Sequence, residues 1–153
     1  MNTEPLEEPT ETQIEIQKKM VEICGDNLYA LQFWQGICDA VLTWDHIEDG
    51  QEVDQQMAHR AFSYLLLDAP LNPFFDKYKE SIVPVLVNAV SSWQFSNEDG
   101  APKIKAFDIY TEIACTMAFI IGGRKAVDKY IPEIRRLSWQ NCQEDDLKDG
   151  GDK

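Results

Sequence analysis

Basic side chains are scarce in this sequence. Fourteen lysines and arginines stand against 27 aspartates and glutamates, which gives a formal net charge of −13 at pH 7 with the two histidines neutral. A chain this acidic repels the phosphates of a nucleic-acid backbone. The composition therefore excludes a general DNA- or RNA-binding protein.

Long apolar runs and paired cysteines are also missing, and the chain has only two histidines. The apolar stretch from Ala114 to Ile121 is too short to span a bilayer, and the first residues lack the basic start and apolar middle of a signal peptide. We therefore expect a cytosolic protein with no membrane contact. Two histidines argue against a histidine-rich zinc or di-iron site. The four cysteines form no C-x-x-C pair and are expected to be reduced, mostly buried thiols.

No strand-like alternation and no internal repeat is present in the chain. Apolar residues recur instead at helical spacing. We predict an all-α fold, a single compact bundle of five to seven helices over residues 11–141. An acidic, proline-bearing arm at residues 1–10 and an acidic tail at residues 142–153 are expected to be disordered.

Capping residues predict the boundaries of the first two helices. Thr10 or Thr12 is expected to cap a first helix that stops near Gly25. Asp26 is expected to cap a second helix, which ends at Gly50.

Capping residues and prolines also predict the helix boundaries in the middle of the chain. Asp54 is expected to start a third helix, and Asn72 a fourth with Pro73 in its first turn. Pro84 predicts a break or kink, with Ser81 as a candidate new cap. The apolar residues of the third helix are Met57, Ala61, Phe62, Leu65 and Leu66.

The last third of the chain reads as a loop and two helices. Residues 96–102 form the clearest loop. Residues 104–121 are apolar on nearly all sides, which predicts a central buried helix that Gly122-Gly123 ends. A final helix is expected over 125–139, with Pro132 kinking it or starting its second half. The aromatic residues expected in the core are Trp34, Trp44, Trp93, Phe107, Phe119 and Trp139.

Five carboxylates lie in line with the apolar stripes of two helices. Asp45, Glu48 and Asp49 share one wedge near the end of the second helix, and Asp108 and Glu112 lie one turn apart on the central helix. Burying unpaired carboxylates is costly, and several that point the same way repel each other unless a cation lies between them. Mg²⁺ prefers such oxygen ligands. We therefore predict that these five residues form a Mg²⁺ site inside the bundle.

Such an ion would support metal-assisted hydrolysis of a small molecule that contains a diphosphate, such as a nucleotide. Lys105, Arg124 and Lys125 are expected to contact its phosphates, and Asn88 to add a substrate contact. The polar wedge that contains Asn88 is explained more simply by close helix packing or by solvent exposure.

Structural ion pairs are the alternative explanation of the acidic residues. The candidate partners are Arg60, Lys77, Arg135 and Arg136. In that case the chain is a non-catalytic interaction protein whose acidic surface binds a basic host or phage protein. A small-molecule binder without turnover and a homo-oligomer are also left open.

Three parts of the sequence resemble small helical proteins that tailed phages and prophages encode. They are Trp44-Asp45-x-x-x-Asp49-Gly50, Leu71-Asn72-Pro73-Phe74-Phe75, and Gly122-Gly123 together with Pro132-Glu133-Ile134-Arg135-Arg136. The resemblance covers about Asp26 to Trp139 and implies the cytosol of an infected bacterium as the setting.

A second resemblance concerns the acidic helices alone. Nucleoside triphosphate pyrophosphohydrolases of the MazG and dimeric dUTPase kind hold Mg²⁺ between E-x-x-E and E-x-x-D helices. Asp45-x-x-Glu48-Asp49 is similar to that pattern, whereas Asp108-x-x-x-Glu112 has a longer spacing. The resemblance implies the same carboxylate ligands for Mg²⁺.

Overall fold

The computed structural model describes residues 9–101 and 107–149, with side chains for 9–101 and 108–143. Every regular element in these ranges is helical, which confirms the all-α prediction. The elements are α1 (Glu11–Cys24), α2 (Leu28–Glu48), α3 (Gln55–Ser63), a π turn (Tyr64–Asp68), α4 (Ala69–Leu71), α5 (Pro73–Ser96) and a helical stretch Phe107–Asp149. Among these elements, none has the length and apolarity that crossing a bilayer requires.

The stretch Phe107–Asp149 is two helices. Gly123 has φ 64° and ψ −162°, a conformation that a helix cannot contain and that glycine adopts readily. It separates α6 (107–122) from α7 (124–149). The predicted helix end at Gly122-Gly123 is therefore confirmed.

Side-chain caps define where α1 and α2 begin. The Thr10 hydroxyl accepts a hydrogen bond from the Gln13 N–H, and the Gln13 side chain accepts one from the Thr10 N–H, which completes a capping box. Asn27, and not the predicted Asp26, caps α2 by accepting from the Ala30 N–H at 3.0 Å. The first boundary is confirmed, and the second is one residue later than predicted.

The caps of α3 and α5 are those that the sequence predicts. The Asp54 carboxylate accepts a hydrogen bond from the Met57 N–H at 2.7 Å. The Asn72 side chain accepts one from the Phe75 N–H at 3.0 Å, with Pro73 in the first turn.

Neither internal proline ends its helix. Pro84 lies inside α5 and Pro132 inside α7, so the predicted break at Pro84 with Ser81 as a new cap is wrong. Both prolines and the residues four positions before them, Glu80 and Asp128, are exposed. Water can therefore hydrogen-bond the carbonyl that each proline leaves without a donor, which reduces the cost of the proline.

α2 is the element that most others pack against. It contacts α1, α3, the π turn, α5 and the stretch 107–149. The largest fully buried side chains include Met20, Phe33, Ile82, Trp93, Ile109, Ile113, Met117 and Ile134. The helices thus enclose one shared hydrophobic core, to which α6 contributes several fully buried residues, as predicted for the central helix.

The last helix, α7, lies antiparallel to both α6 and α1. Gly123 turns α7 back along α6, so that the buried hydroxyls of Thr111 and Ser138 lie 3.1 Å apart. α1 packs on α7, where Lys19 Nζ lies 3.5 Å from Glu133 Oε2.

The structure corrects part of the predicted core. Trp34 and Trp93 are buried, but Phe119 is 60% and Trp139 66% exposed. Trp44 is 36% exposed. The side chain of Phe107 lies outside the described residues.

The structure also moves the predicted end of the helical body. α7 continues to Asp149, and Cys142 is buried, so a disordered tail that begins at residue 142 is wrong for residues 142–149. The cysteines are free thiols, of which Cys24 and Cys142 are buried and Cys38 and Cys115 are partly buried.

A buried polar cluster ties the start of α1 to α7. The Thr10 and Thr12 hydroxyls donate to Asn141 Oδ1 at 2.9 and 3.0 Å. We expect Asn141→Ala to lower the free energy of unfolding by about 1–3 kcal/mol, because it leaves two hydroxyls in a poorly hydrated site without their acceptor.

Urea unfolding followed by circular dichroism measures this loss. Gln140→Ala is the matched control, because Gln140 is the exposed neighbour in the same helix. Equal stability of the two variants would contradict the role given to Asn141.

Candidate functional site

The predicted metal ligands lie at the ends of two helices. Asp45 is half-buried in the last turns of α2, whereas Glu48 and Asp49 are exposed. Asp108 is exposed and Glu112 half-buried in the first turns of α6. In the part of the chain that the structure describes, no group of three or more His, Cys, Asp or Glu side chains is placed to hold a metal ion.

The five carboxylates therefore do not converge as predicted. The reason lies in where α2 ends relative to its neighbours. Its earlier residues Trp34, Val41 and Thr43 are buried, but Ile47 near its end is 54% exposed. The last turn projects past the core, so a face that points inward earlier in the helix points into solvent there.

Several of these carboxylates have their own partners. Arg135 Nη2 of α7 donates to Glu112 Oε1 at 3.2 Å, and the Trp44 indole donates to Glu48 Oε1 at 3.1 Å. Although much of the Asp108 residue is exposed, desolvation of its carboxyl group raises its pKa, while the charge of Arg135 lowers that pKa and the charge of Glu112 raises it. Glu112 therefore forms a structural ion pair with Arg135, as in the alternative explanation of the acidic residues.

Asp45 lies beside the packed junction of α2 and α6. The Tyr110 hydroxyl donates to the Cys38 carbonyl at 3.2 Å. Burial raises the pKa of Tyr110 well above its ordinary value, and the negative charges of an ionised Cys38 and of Asp45 would act in the same direction. Burial also raises the pKa of the Cys38 thiol. Both groups are therefore protonated at neutral pH and serve packing.

The predicted phosphate contacts do not join the acidic residues. Arg124 Nε binds Asp128 Oδ1 at 2.7 Å within α7, and Lys125 beside it is exposed. These residues lie at the turn after α6, whereas Asp108 lies about 20 Å away at the other end of that helix. Asn88 is exposed on α5, and Lys105 lies outside the described residues.

A different feature, the π turn, marks the segment between α3 and α5. The Ala69 N–H donates to the Tyr64 carbonyl five residues earlier, where an α-helix would bond to the fourth. Such π turns are rare and recur at functional sites. The elements α3, π turn and α4 form one continuous helical rod over residues 55–71.

The π turn changes which side chains of the rod face the core. The inward positions are Met57, Ala61, Tyr64 and Ala69, followed by Asn72 directly after the rod, and all but Met57 are buried. Their spacing is 4, 3, 5 and 3, whereas a regular helix repeats 4 and 3. The extra residue lies between Tyr64 and Ala69. Four residues, Leu65 to Asp68, therefore lie on the outside between these two buried positions, where a spacing of four would leave three.

We call the outward apolar side chains of the rod the leucine surface. Its members are Phe62, Leu65, Leu66, Leu67 and Leu71, which are 56%, 46%, 72%, 62% and 81% exposed. The apolar residues expected on the third helix thus divide, since Ala61 is buried while Phe62, Leu65 and Leu66 face solvent.

Two contacts with α2 hold the rod in this orientation. The Tyr64 hydroxyl donates to the Phe33 carbonyl at 3.1 Å, and its ring lies against Gly36, where any Cβ would overlap the ring. Asn72 Nδ2 donates to the Tyr29 carbonyl at 3.0 Å. The start of the π turn and the residue that follows the rod are therefore fixed to the same helix.

Two shallow grooves border the leucine surface. One, of about 410 Å³, is open and mostly apolar and is lined by Gln55, Ala58, His59, Phe62, Ser63, Leu66 and Leu67. The other, of about 420 Å³, is more polar and lies where Tyr29 and Leu71 meet. The first groove runs along the rod and has no carboxylate in its lining.

The sequence contains one signal for this surface. Tyr64 is followed by three leucines, and a regular helix cannot place four consecutive large apolar residues on one buried face. The run therefore requires either an exposed apolar surface or a change of helical register.

Comparisons with protein-family models, with curated proteins and with solved structures give no match for this chain.

The predicted Mg²⁺ site has a direct test in thermal melting. Because the carboxylates do not converge, we expect MgCl₂ to change the melting temperature by less than about 1 °C relative to NaCl of equal ionic strength. Differential scanning calorimetry measures the shift.

Asp45→Asn and Asp108→Asn distinguish a bound ion from general screening. A larger rise in melting temperature with MgCl₂, if either substitution abolishes it, would contradict our expectation and support the predicted magnesium site. Glu15→Gln, at an exposed position on α1, is the control.

Proposed function

We propose that this chain is a non-catalytic interaction protein whose leucine surface binds an amphipathic helix with a basic margin on another protein. The exposure of five large apolar side chains on one continuous rod carries the proposal. Contiguous exposed apolar patches mark protein interaction sites, because leaving them in water is costly.

Charge around the leucine surface favours a basic partner. Residues 48–71 contain five carboxylates and one arginine. Glu52 and Asp54 are exposed immediately before α3, and Asp68 is exposed within the π turn. A partner with apolar residues at its centre and lysines or arginines at its margins would complement this arrangement in both respects.

The shape of the surface favours a helix. The open groove follows the rod from Gln55 to Leu67, a length of about 18 Å by helical rise. A helix of about 12 residues covers that distance, and helices bind in such grooves through side chains at intervals of three and four residues. An open apolar groove suits this contact better than it suits an enclosed small substrate.

An acidic interaction protein is the alternative that the sequence left open. The leucine surface would be the part of that protein that contacts the partner. A basic partner in the cytosol of an infected bacterium would agree with the resemblance to phage proteins. The Mg²⁺-dependent hydrolase and the small-molecule binder remain predictions from the sequence.

A labelled synthetic helix of leucine and lysine, with the leucines on one face, tests the proposal. We expect fluorescence anisotropy to give a dissociation constant in the micromolar range, and Leu66→Gln with Leu67→Gln to weaken binding at least about tenfold. Both residues are exposed, so the double variant should fold normally.

Controls separate the leucine surface from the general acidity of the chain. Phe119→Gln with Val21→Gln removes exposed apolar side chains elsewhere and should leave binding unchanged. A peptide with glutamate in place of lysine should bind at least about tenfold more weakly. Equal loss in both double variants would refute the assignment to the leucine surface.

A further inference from the structure

The outward side of α5 is unusual in this acidic chain. Residues 81–97 form the longest run in the sequence without a charged side chain. At the overall charged fraction of 27%, a run of that length would contain about four or five charged residues. Nearly all of the run lies in the helix Pro73–Ser96.

Burial does not explain this lack of charge. Many residues of the run are exposed, and we call them the uncharged face. They are Ser81, Val83, Pro84, Val87, Asn88, Ser91, Gln94 and Phe95. Among them Val87 is 64% and Phe95 55% exposed. The outward side of α1, by comparison, carries Glu11, Glu15 and Lys18.

We propose that the uncharged face of α5 packs against the same face of a second copy of this chain, forming a symmetric dimer. In a two-fold interface each patch must be complementary to itself. A carboxylate on such a patch would face or approach its own counterpart. For two copies that each carry a net charge of −13, a surface without carboxylates is the one on which they can meet with least repulsion.

A partner of another kind would not require this composition. A basic protein would be matched by carboxylates on the surface, as at the leucine surface. The absence of both signs of charge over four turns therefore favours self-association. Serine, valine and proline along the face also permit the two helices to approach closely.

Charges at the ends of α5 indicate the relative direction of the two helices. The exposed pair Glu98 and Asp99 follows the C-terminal end, whereas near the N-terminal end the exposed Asp76 and Glu80 are balanced by Lys77 and Lys79. A parallel arrangement would bring the two acidic pairs together. An antiparallel arrangement, centred near Asn88, brings Glu98 of each copy to the level of Lys79 of the other.

The size of the face predicts a weak dimer. From Ser81 to Phe95 the helix is about 21 Å long, and one side of it presents roughly 400 Å² of accessible surface. Stable complexes bury about 800 Å² per partner. We therefore expect a dissociation constant of about 10–100 µM, which is typical of a transient contact.

Sedimentation velocity over about 5–300 µM protein tests the dimer, with the expected range set by the small interface. We expect the dimer fraction to rise with concentration and also with salt, because salt screens the repulsion between two acidic copies. Val87→Glu should raise the dissociation constant at least about tenfold by placing a charge beside its own counterpart.

Val21→Glu is the matched control, since Val21 is an exposed valine on α1. It should leave the dimer intact. The proposal is overturned if the chain stays monomeric throughout or if the two variants weaken the dimer equally. It is also overturned if Leu66→Gln with Leu67→Gln dissociates the dimer, since the leucine surface would then be the self-association site.

Discussion

The ring of Tyr64 against the backbone of Gly36 determines how the middle of the chain is arranged. Glycine at position 36 leaves room for the ring, and the hydroxyl reaches the Phe33 carbonyl at 3.1 Å. With Tyr64 held there and Ala69 buried, five residues must complete a turn for which an α-helix needs about four. The π turn accommodates the extra residue. Leu65, Leu66, Leu67 and Asp68 then all lie on the outside between the two buried residues.

Charge distinguishes the two surfaces that we assign. Carboxylates lie around the leucine surface, so attraction there weakens as salt rises. The uncharged face of α5 has the opposite dependence, because salt relieves the repulsion between copies. These surfaces belong to different elements, so we expect their substitutions to act independently. A dimer could therefore present two leucine surfaces at once, which would favour a partner with two basic helices.

Local signals predicted most helix boundaries but few features of the site. The caps Thr10, Asp54 and Asn72 act through hydrogen bonds to residues three positions away, so the sequence contains all that they need. The π turn depends on a contact with α2 that is distant in sequence. Helical spacing places Asp45, Glu48 and Asp49 in line with the buried Val41, yet only Asp45 is half-buried. Whether these side chains meet the core or solvent depends on where the neighbouring helices end.

The most direct test of the central claim is deletion of Leu66. Removing one residue between Tyr64 and Ala69 restores the 4 and 3 spacing of a regular helix. We predict an unfolding free energy within about 1 kcal/mol of the unaltered chain, with binding of the leucine and lysine helix weakened at least about tenfold. Unchanged binding, or a loss of stability above about 3 kcal/mol, would contradict the account in which the extra residue serves recognition and not folding.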